Sequence, residues 1–512
     1  MPVSSDNKRI AINTLMLYVR MFIVMGVSIY ISRLVLATLG IVDFGIYNVV
    51  GGIVAIFSFL QTVMASSVQR FITFELGSGD YSKLKEIFNS SFQIHVFMAL
   101  LIVLLAETVG FWFLNTKMEI PVERMTAANI IYQISIITCV MQIIMTPFVS
   151  TVTAHEKISA FSYLSVFDVS LRLLLVIALS YLNGDKLIYY GIIVLIIFSL
   201  DLTFYFVYAR RSFSEVRFSC VINYQQLKKI GSFAGWSMFG NLAYVLSTQG
   251  VNIILNIFFG PTVNAARAVT TQVQSAITSF VYNFQIATTP QITKSYAASN
   301  YHRMYSLIFA SSKLSFYLLL IVALPLFLEM PFVLGLWLKE VPEHTVMFAR
   351  ILLVYMMIDS ISGGMATSVN ATGKIRNYQI VMGGITMLAM PAAYVLLNLG
   401  MPPEIVYVTD VCIIIICQTL RILMVLPMIG LPYYEYLKNV VFKIITVAII
   451  SIPLSFVVFK RCDSNFMGLL LVCFFCTAII LPTIYLVGIN QNERLMINNM
   501  ITEKINNIIK QN

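Results

Sequence analysis

Apolar residues in this chain come in blocks of about 20 separated by short polar breaks, the length a helix needs to cross a hydrocarbon layer of roughly 30 Å. The pattern predicts about fourteen spanning helices, at 10–37, 46–68, 88–114, 125–150, 161–182, 187–209, 233–258, 264–288, 306–330, 344–370, 378–398, 405–427, 441–459 and 466–488. An even count places both termini on one side. The first block, Ile10 to Ala37, is far longer than a signal-peptide core and lacks a small-residue cleavage site, so it is expected to be retained as a helix.

Laid on itself at an offset of 220 residues, the chain pairs Gly40 with Gly260, Ile72-Thr73 with Ile292-Thr293, Tyr81 with Tyr301 and Ser91 with Ser311. Asp80 and Lys83 meet Asn300 and Arg303 in the same register. At 217 residues, Ala154-x-x-Lys157-Ile158-x-x-Phe161 meets Ala371-x-x-Lys374-Ile375-x-x-Tyr378. Apolar matches between membrane helices are cheap; the polar loop positions carry the signal. The expected fold is therefore an all-α integral membrane protein. Two parallel six-helix repeats form a V-shaped central cavity, and two further helices lie at the periphery. The expected domains are an N-terminal lobe (1–209), a cytoplasmic connector (210–232), a C-terminal lobe (233–427), two additional helices (441–488) and a cytoplasmic tail (489–512).

Composition agrees with lipid as the solvent: 59% of residues are apolar and 11% charged, and the mean hydropathy is +0.86. The net charge of +10 does not point to nucleic acid, because the basic residues are scattered over many short loops. With the N-terminus inside, roughly 19 Lys and Arg fall in cytoplasmic segments against 7 in outer ones, which orients the chain N-in and C-in. Trp112, Trp236 and Trp337 fall at or beyond helix ends, where amphipathic rings suit the headgroup layer. Cys473 and Cys476 have CxxC spacing, but no His or second pair accompanies them. They read as small hydrophobes, and no metal is expected.

Ionisable residues at membrane depth need a partner, a wet cavity or a route to the interface. Arg20 lies near the middle of the first span, and Asp168 and Arg172 sit four apart in the fifth, where they either lock helices together or line a cavity. Arg267, Thr271, Gln274, Thr278, Tyr282 and Gln285 form one polar stripe along the eighth span. Ser237, Asn241, Thr248, Asn252 and Asn256 form another on the seventh, with Gln249 beside it. Packing faces prefer small residues; long amides and an Arg suit water better. Asp359 is central in the tenth span, Asp201 and Arg421 lie deeper toward the cytoplasm, and Asp410 lies nearer the outer end. Asp359 and Asp168 are candidate H⁺ or Na⁺ coupling residues, and Arg33 is expected to snorkel outward.

Twelve repeated helices plus two resemble the polysaccharide and O-antigen flippases of the multidrug/oligosaccharidyl-lipid/polysaccharide exporter (MOP) superfamily. The turn Leu39-Gly40-Ile41-Val42-Asp43-Phe44-Gly45-Ile46-Tyr47 is similar to that family's Gly-x-x-x-[Phe/Tyr]-Gly-[hydrophobic]-Tyr turn, and the paired Ala-x-x-Lys loops are similar too. The resemblance covers about residues 8–490. It implies flipping of undecaprenyl-pyrophosphate-linked oligosaccharide across a bacterial cytoplasmic membrane by alternating access, often ion-coupled, for surface polysaccharide or lipopolysaccharide assembly. The partners would be that lipid-linked oligosaccharide, membrane lipids and other polysaccharide-assembly membrane proteins. No cofactor beyond a coupling ion is implied. Pyrophosphate wants Arg or Lys, and glycans want amides and hydroxyls. Arg20, Arg172, Asn241, Asn252, Arg267, Thr271, Gln274 and Arg421 are the residues expected to line the substrate cavity. A cation-coupled MATE-type drug antiporter shares the fold. A membrane-embedded glycan-processing enzyme is the third reading, and no HExxH, GxSxG or Walker A motif supports it.

Overall fold

The computed structural model describes residues 2–55, 58–118, 120–219, 223–259, 261–338, 341–491, 493–495 and 498. Most of the 489–512 tail, with Lys504 and Lys510, lies outside these residues, as do Gly260 and the side chains of Arg33, Gln249 and Asn256. Every regular element among the described residues is helical. The chain divides into two compact units, one of Ala11–Asn241 with Thr293–Ser299, the other of Met1–Ile10, Leu242–Ile292 and Asn300–Asn512.

In the unit built from Ala11–Asn241, α1 (Pro2–Ala55) breaks at Gly40, whose φ of +77° and ψ of 170° are not helical. A glycine adopts that conformation without a Cβ penalty, and the break separates the first two predicted spans. The elements α2 (Ser58–Ser78), α3 (Tyr81–Leu105), α4 (Phe111–Lys117), α5 (Met125–Ala154), α6 (Ile158–Leu179) and α7 (Lys186–Ser212) follow. A π-helical turn, Ala106–Gly110, joins α3 to α4. The central helix is α5, which packs on α2, α3, α6 and α7. Its Ile131, Tyr132 and Ile136 form one core with Ile46, Val50 and Leu187. Gly191 lets α7 lie close against it, since a Cβ there would stand 2.5 Å from Ile131 Cδ1. By contrast, Phe97, Leu100, Leu104 and Val109 are 60–65% exposed, an outward apolar face of the kind that a membrane-spanning helix turns to lipid.

Helix α8 (Tyr224–Phe259) begins in this unit and ends in the other. The second unit continues with α9 (Pro261–Ala297), α10 (Tyr301–Leu328), α11 (Met330–Trp337), α12 (Thr345–Ser360), α13 (Gly363–Thr372), α14 (Arg376–Met387), α15 (Ala389–Asn398) and α16 (Ile405–Ile429). It closes with α17 (Tyr433–Tyr436), α18 (Phe442–Phe459) and α19 (Phe466–Thr483). Its central helix is α10, packed on α12, α13, α18 and α19. Buried Ser311, Ser312 and Ser315 keep α10 slim enough for that many neighbours. One predicted span, 344–370, is a broken pair: α12 and α13 meet at 43° across Ile361 and Ser362.

By length and composition, 10 helices can cross a membrane, or 11 with the bent pair, among the described residues. The other predicted spans are 10–37, of which only Asn13–Ser28 passes as a shorter apolar helix, 46–68, which straddles α1 and α2, and 264–288. The last lies within α9, whose polar stripe lowers its hydropathy below that of its neighbours.

Both repeat offsets recur in the backbone. Gly79 and Ser299, 220 apart, have φ of +78° and +55°. The next residues, Asp80 and Asn300, cap α3 and α10 with φ/ψ of −88°/78° and −89°/72°, each side chain accepting from the backbone N–H three residues on. Glu156 and Gly373, 217 apart, are also left-handed, at +59° and +75°.

Candidate functional site

In the second unit, the predicted stripes of α8 and α9 meet at Arg267. This side chain is 6% exposed. Its Nε donates to Asn252 Oδ1, its Nη2 donates to the Thr248 carbonyl at 3.1 Å, and its guanidinium lies 5.6 Å from the centre of the Tyr407 ring. Burying a guanidinium is costly unless its donors are satisfied, and Asn252 one turn beyond Thr248 is spaced to share that task. No carboxylate lies within 4.0 Å of Arg267 among the described residues. Arg267 also lines a cavity of ≈ 70 Å³.

That cavity is lined by Thr248, Tyr244, Thr271, Gln274, Tyr355 and Asp410, among others. A groove of ≈ 700 Å³ opens beside it along Asn252, Ala268, Thr271, Gln272 and Ser275. Thr271 serves both, and its hydroxyl donates to the Arg267 carbonyl at 2.9 Å, which leaves its lone pairs available.

Arg421 and Asp359 form a second polar group. Arg421 Nε donates to Tyr378 Oη at 2.8 Å and Nη1 to Gln418 Oε1 at 3.0 Å; Gln418 Nε2 in turn donates to the Ile358 carbonyl at 2.7 Å. Asp359 accepts from Ser362 Oγ at 3.4 Å and lies within electrostatic reach of Arg421. This network ties α16 to α12 where α12 breaks.

Arg20, Asp168 and Arg172 belong to the other unit. Arg172 pairs with Asp168 at 3.3 Å, Arg20 stacks 4.4 Å over the Phe161 ring, and Asp201 lies within electrostatic reach of Asp168. Asn241 joins none of these groups: it is exposed and donates to the Ser237 carbonyl of its own helix at 2.9 Å. The predicted residues thus gather as Asn252, Arg267, Thr271 and Gln274; as Arg421 with Asp359; and as Arg20 with Asp168 and Arg172. Tyr244, Tyr355 and Tyr407, which line the same cavity, are not legible in the sequence. Tyrosines spaced along apolar helices give no periodic signal, and only the meeting of α8, α12 and α16 makes them neighbours of Arg267.

Two contacts hold groups at helix ends, outside the spans. Arg124 binds Asp185 and Asp43, and its guanidinium holds the Asp185 carboxyl below the usual carboxylate range. Burial works against charge on Glu215, but the His155 ring bonded to it at 2.5 Å prevails and holds its carboxyl low.

No family model matches the chain, and no curated protein does either. Solved structures do. A MATE transporter in its bent conformation aligns with a TM-score of 0.70 at 14% identity, over 83% of this chain and 96% of that one. A MOP superfamily transporter from Pyrococcus furiosus, described as having a binding pocket of reverse polarity that suggests a different function, aligns at 0.68 and 14% identity, over 82% and 95%. A mutant of the Vibrio cholerae MATE transporter VcmN aligns at 0.67 and 18% identity, over 85% and 98%. The chain therefore has the fold of the MATE transporters of the MOP superfamily.

Proposed function

We propose that this protein is a transporter that flips a lipid-linked oligosaccharide across a bacterial cytoplasmic membrane by alternating access. The observation that carries the reading is Arg267: a buried guanidinium, positioned by Asn252 and the Thr248 carbonyl, on a residue that lines a cavity. Such a group selects a phosphate or pyrophosphate. The hydroxyls and amides of Thr271, Gln272, Gln274 and Ser275 along the adjoining cavity and groove suit a glycan. The fold fits transport, and the P. furiosus relative is an instance in which pocket polarity was read as a change of function.

A cation-coupled drug antiporter is the second reading. Asp359 beside Arg421 favours it, because a half-buried carboxylate at a helix break suits H⁺ or Na⁺. Export of surface glycan, normalised to protein level, decides between them. Arg267→Ala should stop it and Arg267→Lys should restore part, since Lys keeps the charge but loses the planar fork. Cells lacking the protein should accumulate lipid-linked oligosaccharide on the inner face. Normal export in Arg267→Ala would reject the flippase reading and favour the antiporter.

A further inference from the structure

The cavity lined by Arg267 is also lined by an acidic residue. Asp410 of α16 lines it on the same face as Ile413, Ile414 and Cys417. It makes no hydrogen bond and no ion pair within 4.0 Å among the described residues. At ≈ 70 Å³ the space has room for two or three waters at about 30 Å³ each, so Arg267 and Asp410 border one small volume. The other titratable groups facing it are Tyr244 from α8, Tyr355 from α12, and Tyr407 and Cys417 from α16. From α14 and α15 come only Thr386 and Ala389. The next carboxylate, Asp359, lies one helical turn beyond Tyr355 and has Arg421 as its own counter-charge.

Resting on the cationic-site reading, we propose that Asp410 is an internal counter-ion of Arg267 that takes up a proton whenever an anionic substrate group binds, so that anion and proton occupy the site together. In the empty cavity Asp410⁻ balances Arg267⁺. An arriving phosphate sets a second negative charge beside Asp410, and a like charge in a confined space disfavours the ionised carboxylate. Water supplies the proton, one O–H bond forms at the carboxyl, and the proton returns to water when the anion leaves. By linkage the effect is reciprocal, and protonating Asp410 raises anion affinity. A lone Arg would hold its anion at any pH. The Arg–Asp pair makes holding and release depend on the proton supply of the compartment to which the cavity opens.

The test uses the full-length protein in lipid nanodiscs with inorganic sulfate as probe, because sulfate itself does not titrate near neutral pH. Calorimetry in buffers of different ionisation enthalpy reads the protons taken up per sulfate bound. The wild type is expected to take up close to one proton at pH 7–8. Asp410→Asn should take up almost none, and at pH 8 should bind sulfate about a hundredfold more tightly, because near-complete uptake over pH 7–8 requires a carboxyl that is ionised in the empty site and protonated in the occupied one. Asp410→Glu should restore uptake, which separates the charge from any loss of fold. Sulfate binding without uptake in the wild type, or equal uptake in Asp410→Asn, would overturn the counter-ion while leaving the cationic site standing. No sulfate binding by the wild type, or binding untouched by Arg267→Ala, would instead remove the cationic site and the counter-ion with it.

Discussion

Arg124 and Asp185 are joined by two hydrogen bonds, Nη1 to Oδ2 at 2.7 Å and Nη2 to Oδ1 at 3.0 Å, and the second unit repeats the contact with His344 and Glu404 at 2.5 Å. The offsets are 220 and 219 residues. In each unit the bridge joins the residue leading into one long helix to the residue leading into another: α5 to α7, and α12 to α16. Arg124 additionally holds Asp43 beside the break of α1.

Removing Arg124 leaves two carboxylates facing each other. Arg124→Ala should destabilise the purified protein by about 1–2 kcal/mol, at the lower end for charge-assisted bonds because the partners are partly exposed. Thermal unfolding in detergent measures it. The pH dependence has a fixed sign. The folded-state value of Asp185 is depressed, so its stabilisation is present above the unfolded carboxylate value of about 3.9 and is lost as pH falls through the folded value. The difference in Tm between wild type and Asp185→Asn should therefore be constant from pH 5 to 8 and shrink below pH 4.

The two matching helix caps should behave alike. Asp80→Ala and Asn300→Ala each remove a side-chain acceptor at a helix N-terminus and should each cost about 1 kcal/mol. Costs that differ severalfold in thermal unfolding would count against equivalent roles in the two units.

Lys313 is fully buried in α10 and bonds both oxygens of Glu493, at 2.9 and 2.7 Å. Glu493→Ala strands a buried ammonium and should destabilise the protein by about 3–5 kcal/mol. Replacing both partners, Lys313→Met with Glu493→Leu, should recover most of that. Failure of the double variant to exceed the single one in Tm would show that the pair is not the source of the loss.

Cysteine labelling reads the cavity directly. Thr271→Cys and Gln274→Cys, on the open groove and cavity, should react with a small membrane-impermeant thiol reagent. Cys476, fully buried in α19, should not. Protection of both introduced cysteines would mean that the α9 stripe packs against protein rather than facing water.

Asp168→Asn tests the other unit. The Asp168–Arg172 bond is intrahelical, and Asp201 of α7 lies near it. Asn relieves the crowding of Asp168 and Asp201 while leaving Arg172 with one carboxylate, so protein abundance on immunoblots should fall little. A large fall would assign the pair to holding helices together.

The membrane setting, the helical spans and the repeat are all legible in the sequence, because each is local: hydrophobic length sets a span, and polar turn residues such as Asp80 and Asn300 act within three residues. Arg267 and its stripe are legible for the same reason, since residues three and four apart must share a helix face. Which charges meet is not local. Asp410 lies in a separate stretch of sequence from Arg267, and nothing in the spacing of α16 says that it shares a cavity with α9. Nor does the sequence separate Arg20 and Arg172 from Arg267, although they belong to different units. Partners chosen by the packing of helices distant in sequence are fixed by tertiary structure, because burial decides which polar groups must find one another.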